Sequence, residues 1–264
     1  MEPWQLSDAV PSPRPRIGVL TFHKCINYGS YWQARSLVEG LRANGHDAVL
    51  LDHDCPTVKL AEYRCAFQPL LPQRSRRRDI RDYGRKARKV LRAAEALPSS
   101  RRFPLDRPDA LDEFDVVVIG SDEVWNMYHP WYGGKPIFYG EGLPAKRLVS
   151  YAASFGNHDA SHGLGSPWTD RLRRFSAISV RDENSRALLR RSLDAEPELV
   201  LDPCLQFPLA VSATGPESEA GPYMVVYGHS FPEWYATAVR AFADRRGLRL
   251  VSVGYRNDWA DEQR

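Results

Sequence analysis

No stretch of the chain reaches the roughly 18 consecutive apolar residues that a membrane-spanning helix needs, so no transmembrane span is expected. Cysteine is scarce. Cys25, Cys55, Cys65 and Cys204 never form a CxxC pair, which excludes the usual zinc frameworks; no metal site is expected, and a reducing cytoplasm is the expected compartment. The opening "MEPWQLSDAVPSPRPR" has an acid at Glu2, no apolar core and a cluster of prolines after Val10. It reads as a disordered leader over 1–15 and not as a signal peptide. The first strand–helix loop is neither a GxGxxG turn nor a Walker loop, and no GxSxG elbow occurs, so these common signatures assign nothing.

What is present fits a globular protein. The 264 residues are 43% hydrophobic and 26% charged, enough apolar content for a sizeable core. The net charge of +3 is small but uneven. From Arg74 to Arg92, in "RSRRRDIRDYGRKARKVLR", Lys and Arg are opposed only by Asp79 and Asp82. Helical spacing gathers Ile80, Ala87, Val90, Leu91 and Ala94 on one side and Arg74, Arg77, Arg81, Arg85, Arg88 and Arg92 on another. Such a helix is a solvated face over a packed stripe, or a face laid on an anionic membrane or beside an anionic substrate. Nucleic acid is not expected as a partner, because aromatics are not interleaved with the basic residues.

The pattern predicts a strand over Arg16–Phe22, a helix over Ser30–Gly45 and a strand over Asp47–His53, which form a βαβ unit with parallel strands. Further strands are expected at Asp115–Ser121, Arg147–Ser154, Ala177–Asp182 and Glu198–Pro203. Their near-continuous Val, Ile and Leu imply burial on both faces of a doubly wound sheet. The Pro-, Gly- and Ser-rich stretch 207–222 reads as a linker. Beyond it, "YMVVYGH", a helix and "LRLVSVGY" form another β–α–β. The expected domains are a Rossmann-like domain over 16–206 and the incomplete start of a second over 223–264, since two strands and one helix do not bury a parallel sheet.

The candidate sites fall where strands end. In "HKCINYGS" the loop leads into a helix N-terminus that suits phosphate or carboxylate, or simply reverses the chain. Gly29 permits close approach, Asn27 tolerates αL or caps the helix, and Gln33 faces the crevice or solvent. In "VVVIGSDEVWN", Ser121 and Asp122 suit sugar hydroxyls, Asp122 suits a base, and Trp125 suits stacking on a sugar face. The other reading makes Ser121 or Asp122 a helix cap and Trp125 a core residue. Arg181, after the apolar strand "AISV", offers a planar fork to an anion or pairs with Asp182 or Glu183. Asp202 orients a ligand or begins the turn before Pro203. His23, His129, His158 and His162 are candidate proton carriers, or incidental loop histidines.

Taken together, "NYGSYWQA" (27–34), "VIGSDEVWN" (118–126), "SYAASFG" (150–156), "ISVRDENS" (178–185) and "LVLDP" (199–203) resemble the polysaccharide pyruvyl transferase family, with five blocks in the family's order. The resemblance implies two Rossmann-like domains arranged as in GT-B glycosyltransferases. It also implies transfer of a pyruvyl group from phosphoenolpyruvate, a co-substrate with no further cofactor, to a sugar or lipid-linked glycan acceptor. It points to Asn27, Tyr28, Gly29, Gln33, Ser121, Trp125 and Asn126 as substrate-binding residues, and to Asp122 and Arg181 as catalytic ones. Family members carry a later His and Arg motif in the second domain. The chain ends at Arg264 before one, so a truncated second domain is expected. A glycosyltransferase using a nucleotide sugar and a non-catalytic remnant or partner are the rival readings.

Overall fold

The computed structural model describes residues 14–69, 74–209 and 221–264. Most of the leader read at 1–15 and most of the linker read at 207–222 therefore lie outside the described residues. In chain order the elements are β1 (Arg16–Leu20), α1 (Tyr28–Ala43), β2 (Asp47–Leu50), β3 (His53–Asp54), α2 (Pro56–Phe67), α3 (Arg77–Glu95), β4 (Phe103–Pro104), β5 (Phe114–Ile119) and β6 (Ala145–Ser150). There follow α4 (Trp168–Leu172), β7 (Ser179–Val180), α5 (Glu183–Leu193), β8 (Glu198–Leu199), α6 (Pro203–Gln206), β9 (Tyr223–Tyr227), α7 (Glu233–Arg246), β10 (Arg249–Val253) and β11 (Glu262–Gln263).

The chain divides into two compact units that interleave along the sequence. The first takes in the chain up to Thr21, Gln33–Asp54 and Pro98–Phe207; the second takes in Phe22–Trp32, Cys55–Leu97 and Pro208–Arg264. The division thus differs from two consecutive domains: segments 22–32 and 55–97, read above within 16–206, cluster with the chain beyond Pro208. Phe207, read above as linker, packs on α1, where any side chain at Gly40 would collide with its ring.

The first unit is a Rossmann-like α/β fold. Its sheet has the order β2-β1-β5-β6, all parallel and flanked by helices. Bridges Val149↔Ala177 and Ala153↔Val180 carry it on to the parallel pair β7–β8. Burial on both faces explains the composition of the central strands: Val19, Leu20, Val117 and Ile119 are all buried, so near-continuous apolar runs replace alternation. Because β1 has β2 on one side and β5 on the other, the strand order reverses between β1 and β5. In such sheets ligands bind outside the carboxyl ends at this switch point. Helix α1 is capped at its start by Asn27 and closed by Gly45 at φ +87°, with His46 N–H on Leu41 C=O and Gly45 N–H on Arg42 C=O, the paired bonds of a Schellman ending.

The second unit has a three-stranded parallel sheet, order β11-β10-β9. Its core gathers Val226, Ala243 and Leu250 with Phe231, Val239 and Trp259. β11 was not expected from sequence: "EQ" carries no apolar residue, and the strand exists through backbone pairing to Val251 and Ser252. Helix α3 starts at Arg77 and buries Tyr83, Ala87, Val90 and Ala94, while Arg77, Arg81, Arg85, Arg88 and Arg92 are exposed. No described helix is long and apolar enough to cross a membrane.

Candidate active site

At the switch point of the first unit, the ends of β1 and β5 are tied together by Thr21, whose Oγ1 donates to the Ser121 carbonyl at 2.9 Å. The Gln33 amide donates to the same Oγ1 at 3.0 Å, and both residues are buried. Gln33 is therefore a strut that holds the loop after β1.

After β5 the chain turns through Gly120 at φ +110°, where any Cβ would strike the Tyr151 carbonyl, and places Asp122 at φ +76°. A positive φ is uncommon for a non-glycine residue, and such conformations gather at functional sites. Asp122 N–H donates to Ser121 Oγ at 2.6 Å, and Asp122 Oδ1 accepts Glu123 N–H at 2.8 Å. Arg181 reaches the same place from the end of β7. Its Nη1 donates to Asp202 Oδ2 at 2.9 Å and its Nη2 to Asp122 Oδ1 at 3.4 Å. Ser121 Oγ lies 3.4 Å from Asp202 Oδ2. One guanidinium thus bridges two carboxylates at the carboxyl edge of the sheet. All three side chains keep part of their surface exposed, at 28%, 15% and 26% for Arg181, Asp122 and Asp202.

The expected local partners of Arg181 are engaged elsewhere. Asp182 caps α5 through Ser185 N–H at 2.7 Å, and Glu183 pairs with Arg186. Asp202 also caps α6, accepting Cys204 N–H at 3.0 Å, so both of its readings hold.

Trp125 is a core residue and not a stacking platform. It is fully buried, its indole N–H donates to the Phe138 carbonyl at 2.7 Å, and its ring packs with Tyr139, Phe155 and Phe175. No face remains for a sugar. Asn126 is likewise buried, donating to Glu123 Oε2 at 2.7 Å and accepting Tyr128 N–H at 2.9 Å. Gly156, at φ +56°, passes so close that any side chain there would collide with Glu123 and Asn126.

His129, a candidate proton carrier or an incidental loop histidine by sequence, is half-enclosed by its own turn. Its Nδ1 accepts N–H bonds from Tyr132 at 3.1 Å and Trp131 at 3.3 Å, so the neutral ring carries its proton on Nε2. Burial holds this imidazole below the usual histidine range against the opposing pull of Glu123 and Asp122.

Asn27, Tyr28 and Gly29 belong to the second unit. Asn27 Oδ1 accepts Gly29 N–H at 2.7 Å, so the reading as a cap holds. The Tyr28 ring lies against Tyr227 and under the Lys86 ammonium, at 5.6 and 5.1 Å between centres. Among the described residues no cluster of His, Cys, Asp and Glu is arranged to hold a metal ion, and none of the four cysteines is in a disulfide.

The fold and the cluster at its switch point define a Rossmann-type protein with a guanidinium bridging two carboxylates at the carboxyl edge of its sheet. The profile of the polysaccharide pyruvyl transferase family matches residues 27–262, so the chain belongs to that family and to its class of transferases. No curated protein matches the chain.

Proposed function

We propose that the protein transfers the pyruvyl group of phosphoenolpyruvate to two hydroxyls of a sugar, closing a cyclic ketal on a surface-glycan precursor. The observation that carries this reading is the Asp122–Arg181–Asp202 cluster at the sheet's switch point in a chain of this family. A proton adds to the enol carbon, leaving an oxocarbenium-like centre at the carbon beside the carboxylate. One sugar hydroxyl attacks that carbon, the C–O bond to phosphate breaks, and a second hydroxyl closes the ring. Two hydroxyl protons are released: one balances the proton taken up by the methyl carbon and the other leaves with inorganic phosphate.

Asp122 is the base that takes the first hydroxyl proton, and His129 Nε2–H is a proton carrier beside it. Arg181 orients Asp122. Its bonds to Asp122 and Asp202 use two of its five N–H donors, and the others suit the donor's carboxylate. The exposed basic face of α3 suits peripheral contact with an anionic membrane surface at the inner face of the membrane, where a lipid-linked acceptor resides.

The test is acceptor-dependent release of phosphate from phosphoenolpyruvate, with the ketal methyl followed by NMR. Asp122→Asn keeps an acceptor for Glu123 N–H and tolerates the positive φ, so it removes charge alone. Turnover should fall on the order of 10²–10⁴-fold with little change in melting temperature. Consumption of a nucleotide sugar with no use of phosphoenolpyruvate would overturn the proposal in favour of a glycosyltransferase. An inert protein that shifts with neither ligand would favour a non-catalytic partner.

A further inference from the structure

Helix α3 carries one cation that does not belong to its exposed arginine face. Lys86 is half-buried, its ammonium centred 3.8 Å from the Tyr255 ring, with Tyr28 at 5.1 Å and Tyr227 at 5.9 Å. It donates to the Gly254 carbonyl at 3.2 Å, and no carboxylate among the described residues lies within ion-pair distance. Gly254 follows β10 at φ +75°, and any Cβ there would press on the Tyr28 ring at 3.0 Å. The contact therefore lies at the carboxyl edge of the second unit's parallel sheet, where α/β folds bind ligands.

A cavity of about 380 Å³ opens here, lined by Tyr28, Tyr83, Lys86, Lys89 and Tyr255 among others. Its volume falls within the roughly 300–1,000 Å³ of small-molecule clefts. The acids on its wall are already matched: Asp79 faces Arg76 and Arg256, and Asp82 faces Arg85. Lys86 and Lys89, one helical turn apart, are the surplus charge. Burial pulls the Lys86 ammonium down to about 8, and burial together with Lys86 lowers His229 beside Tyr255.

We propose that this cavity binds a phosphate-bearing sugar, with Lys86 and Lys89 on the phosphate and the tyrosine rings against the sugar's apolar face. Two ammonium groups match a phosphate monoester, which carries about −1.5 to −2 at neutral pH. Aromatic walls favour the C–H face of a pyranose and disfavour a bare ion. Identifying this ligand with the glycan acceptor rests on the function proposed above; the binding itself does not.

The test labels the intact protein with an amine-reactive reagent near pH 8 and maps the modified lysines by mass spectrometry. Hexose 1-phosphate should protect Lys86 about tenfold while the exposed Lys59 and Lys135 are unaffected. By calorimetry, Lys89→Ala, an exposed position that leaves the fold intact, should weaken hexose 1-phosphate by about tenfold. Unchanged Lys86 labelling at saturating hexose 1-phosphate overturns the proposal. So does equal protection by the unphosphorylated hexose, or protection by phosphatidylglycerol vesicles alone. Protection in a protein that does not turn over phosphoenolpyruvate leaves this site standing and removes the pyruvyl-transfer reading; turnover without protection does the reverse.

Discussion

Replacing Arg181 by alanine would leave Asp202 and Asp122 facing the space that the guanidinium fills at 2.9 and 3.4 Å. A fully buried pair broken from one side costs about 3–5 kcal/mol, and an exposed pair about 0–1 kcal/mol. With side chains 15–28% exposed the cluster lies between these limits, and about 2 kcal/mol is the expected loss. For a protein of this size that is a fall in melting temperature of roughly 4–8 °C. Asp202→Asn keeps an acceptor for Cys204 N–H and removes only charge, so combining it with Arg181→Ala relieves the uncompensated carboxylate. A double-mutant cycle by urea unfolding should return a coupling of about 1–2 kcal/mol. Arg181→Lys keeps the charge but not the fork and should recover less than half of the loss. Turnover separates structure from chemistry. If the cluster acts in the reaction, the double mutant regains stability and stays inactive. Additivity within about 0.5 kcal/mol would refute the ion pair, and an active double mutant would refute its chemical role.

Two further outcomes follow from the same contacts. Because burial lowers the Lys86 ammonium from 10.5 to about 8, the unfolded chain holds that proton more tightly, and stability should rise with pH across this window. Discounted for its partial exposure, the gain over Lys86→Met between about pH 7.5 and about pH 10 is roughly 1–2 kcal/mol; parallel curves for the two proteins by chemical unfolding would rule it out. Trp125→Phe removes the hydrogen bond to the Phe138 carbonyl and opens a cavity, which should cost roughly 2–4 kcal/mol while ligand affinity measured by calorimetry stays unchanged; lost binding at an unchanged melting temperature would restore Trp125 as a sugar platform.

The strands that carry the first unit were legible because burial on both faces leaves a sequence mark: "RIGVL" and "VVVI" have few other uses. The capping roles of Asn27 and Asp182 were legible too, since a cap is a local bond between near neighbours. Pairing across the fold was not. Nothing local says that Arg181 passes over Asp182 and Glu183 for Asp122 and Asp202, which are distant in sequence and meet only because three parallel strands end at one edge. The interleaving of the two units was hidden for the same reason, because segment 55–97 reads as ordinary helix and reveals nothing of what it packs on. Lys86 was submerged in its charge run. The signal was its place among Tyr83, Ala87 and Val90, the residues that α3 buries, away from the arginine face.

Three of the five sequence blocks, 118–126, 150–156 and 178–185, do mostly structural work at one place in the first unit. Gly120 lets the end of β5 touch the Tyr151 backbone, and Gly156 makes room for Glu123 and Asn126. Ser150 and Ser179 exchange hydrogen bonds across β6 and β7, at 2.9 to 3.1 Å, and Ser185 Oγ receives Phe155 N–H at 2.9 Å. These three blocks thus supply a glycine or serine through which one loop grips the next. Such residues cannot touch a substrate, because their polar atoms are consumed inside the protein. Most of a motif that reads as a binding pattern therefore specifies how closely the segments after β5, β6 and β7 approach one another. What the loops then hold toward solvent is small: Asp122, Arg181 and Asp202, with Asp122 fixed in a backbone conformation that its side chain alone would not favour. A rigid frame around a few partly exposed charges is the arrangement that electrostatic catalysis requires, since preformed groups need no reorganisation when charge develops. The chemistry proposed above rests on those three side chains, with His129 within the electrostatic reach of Asp122.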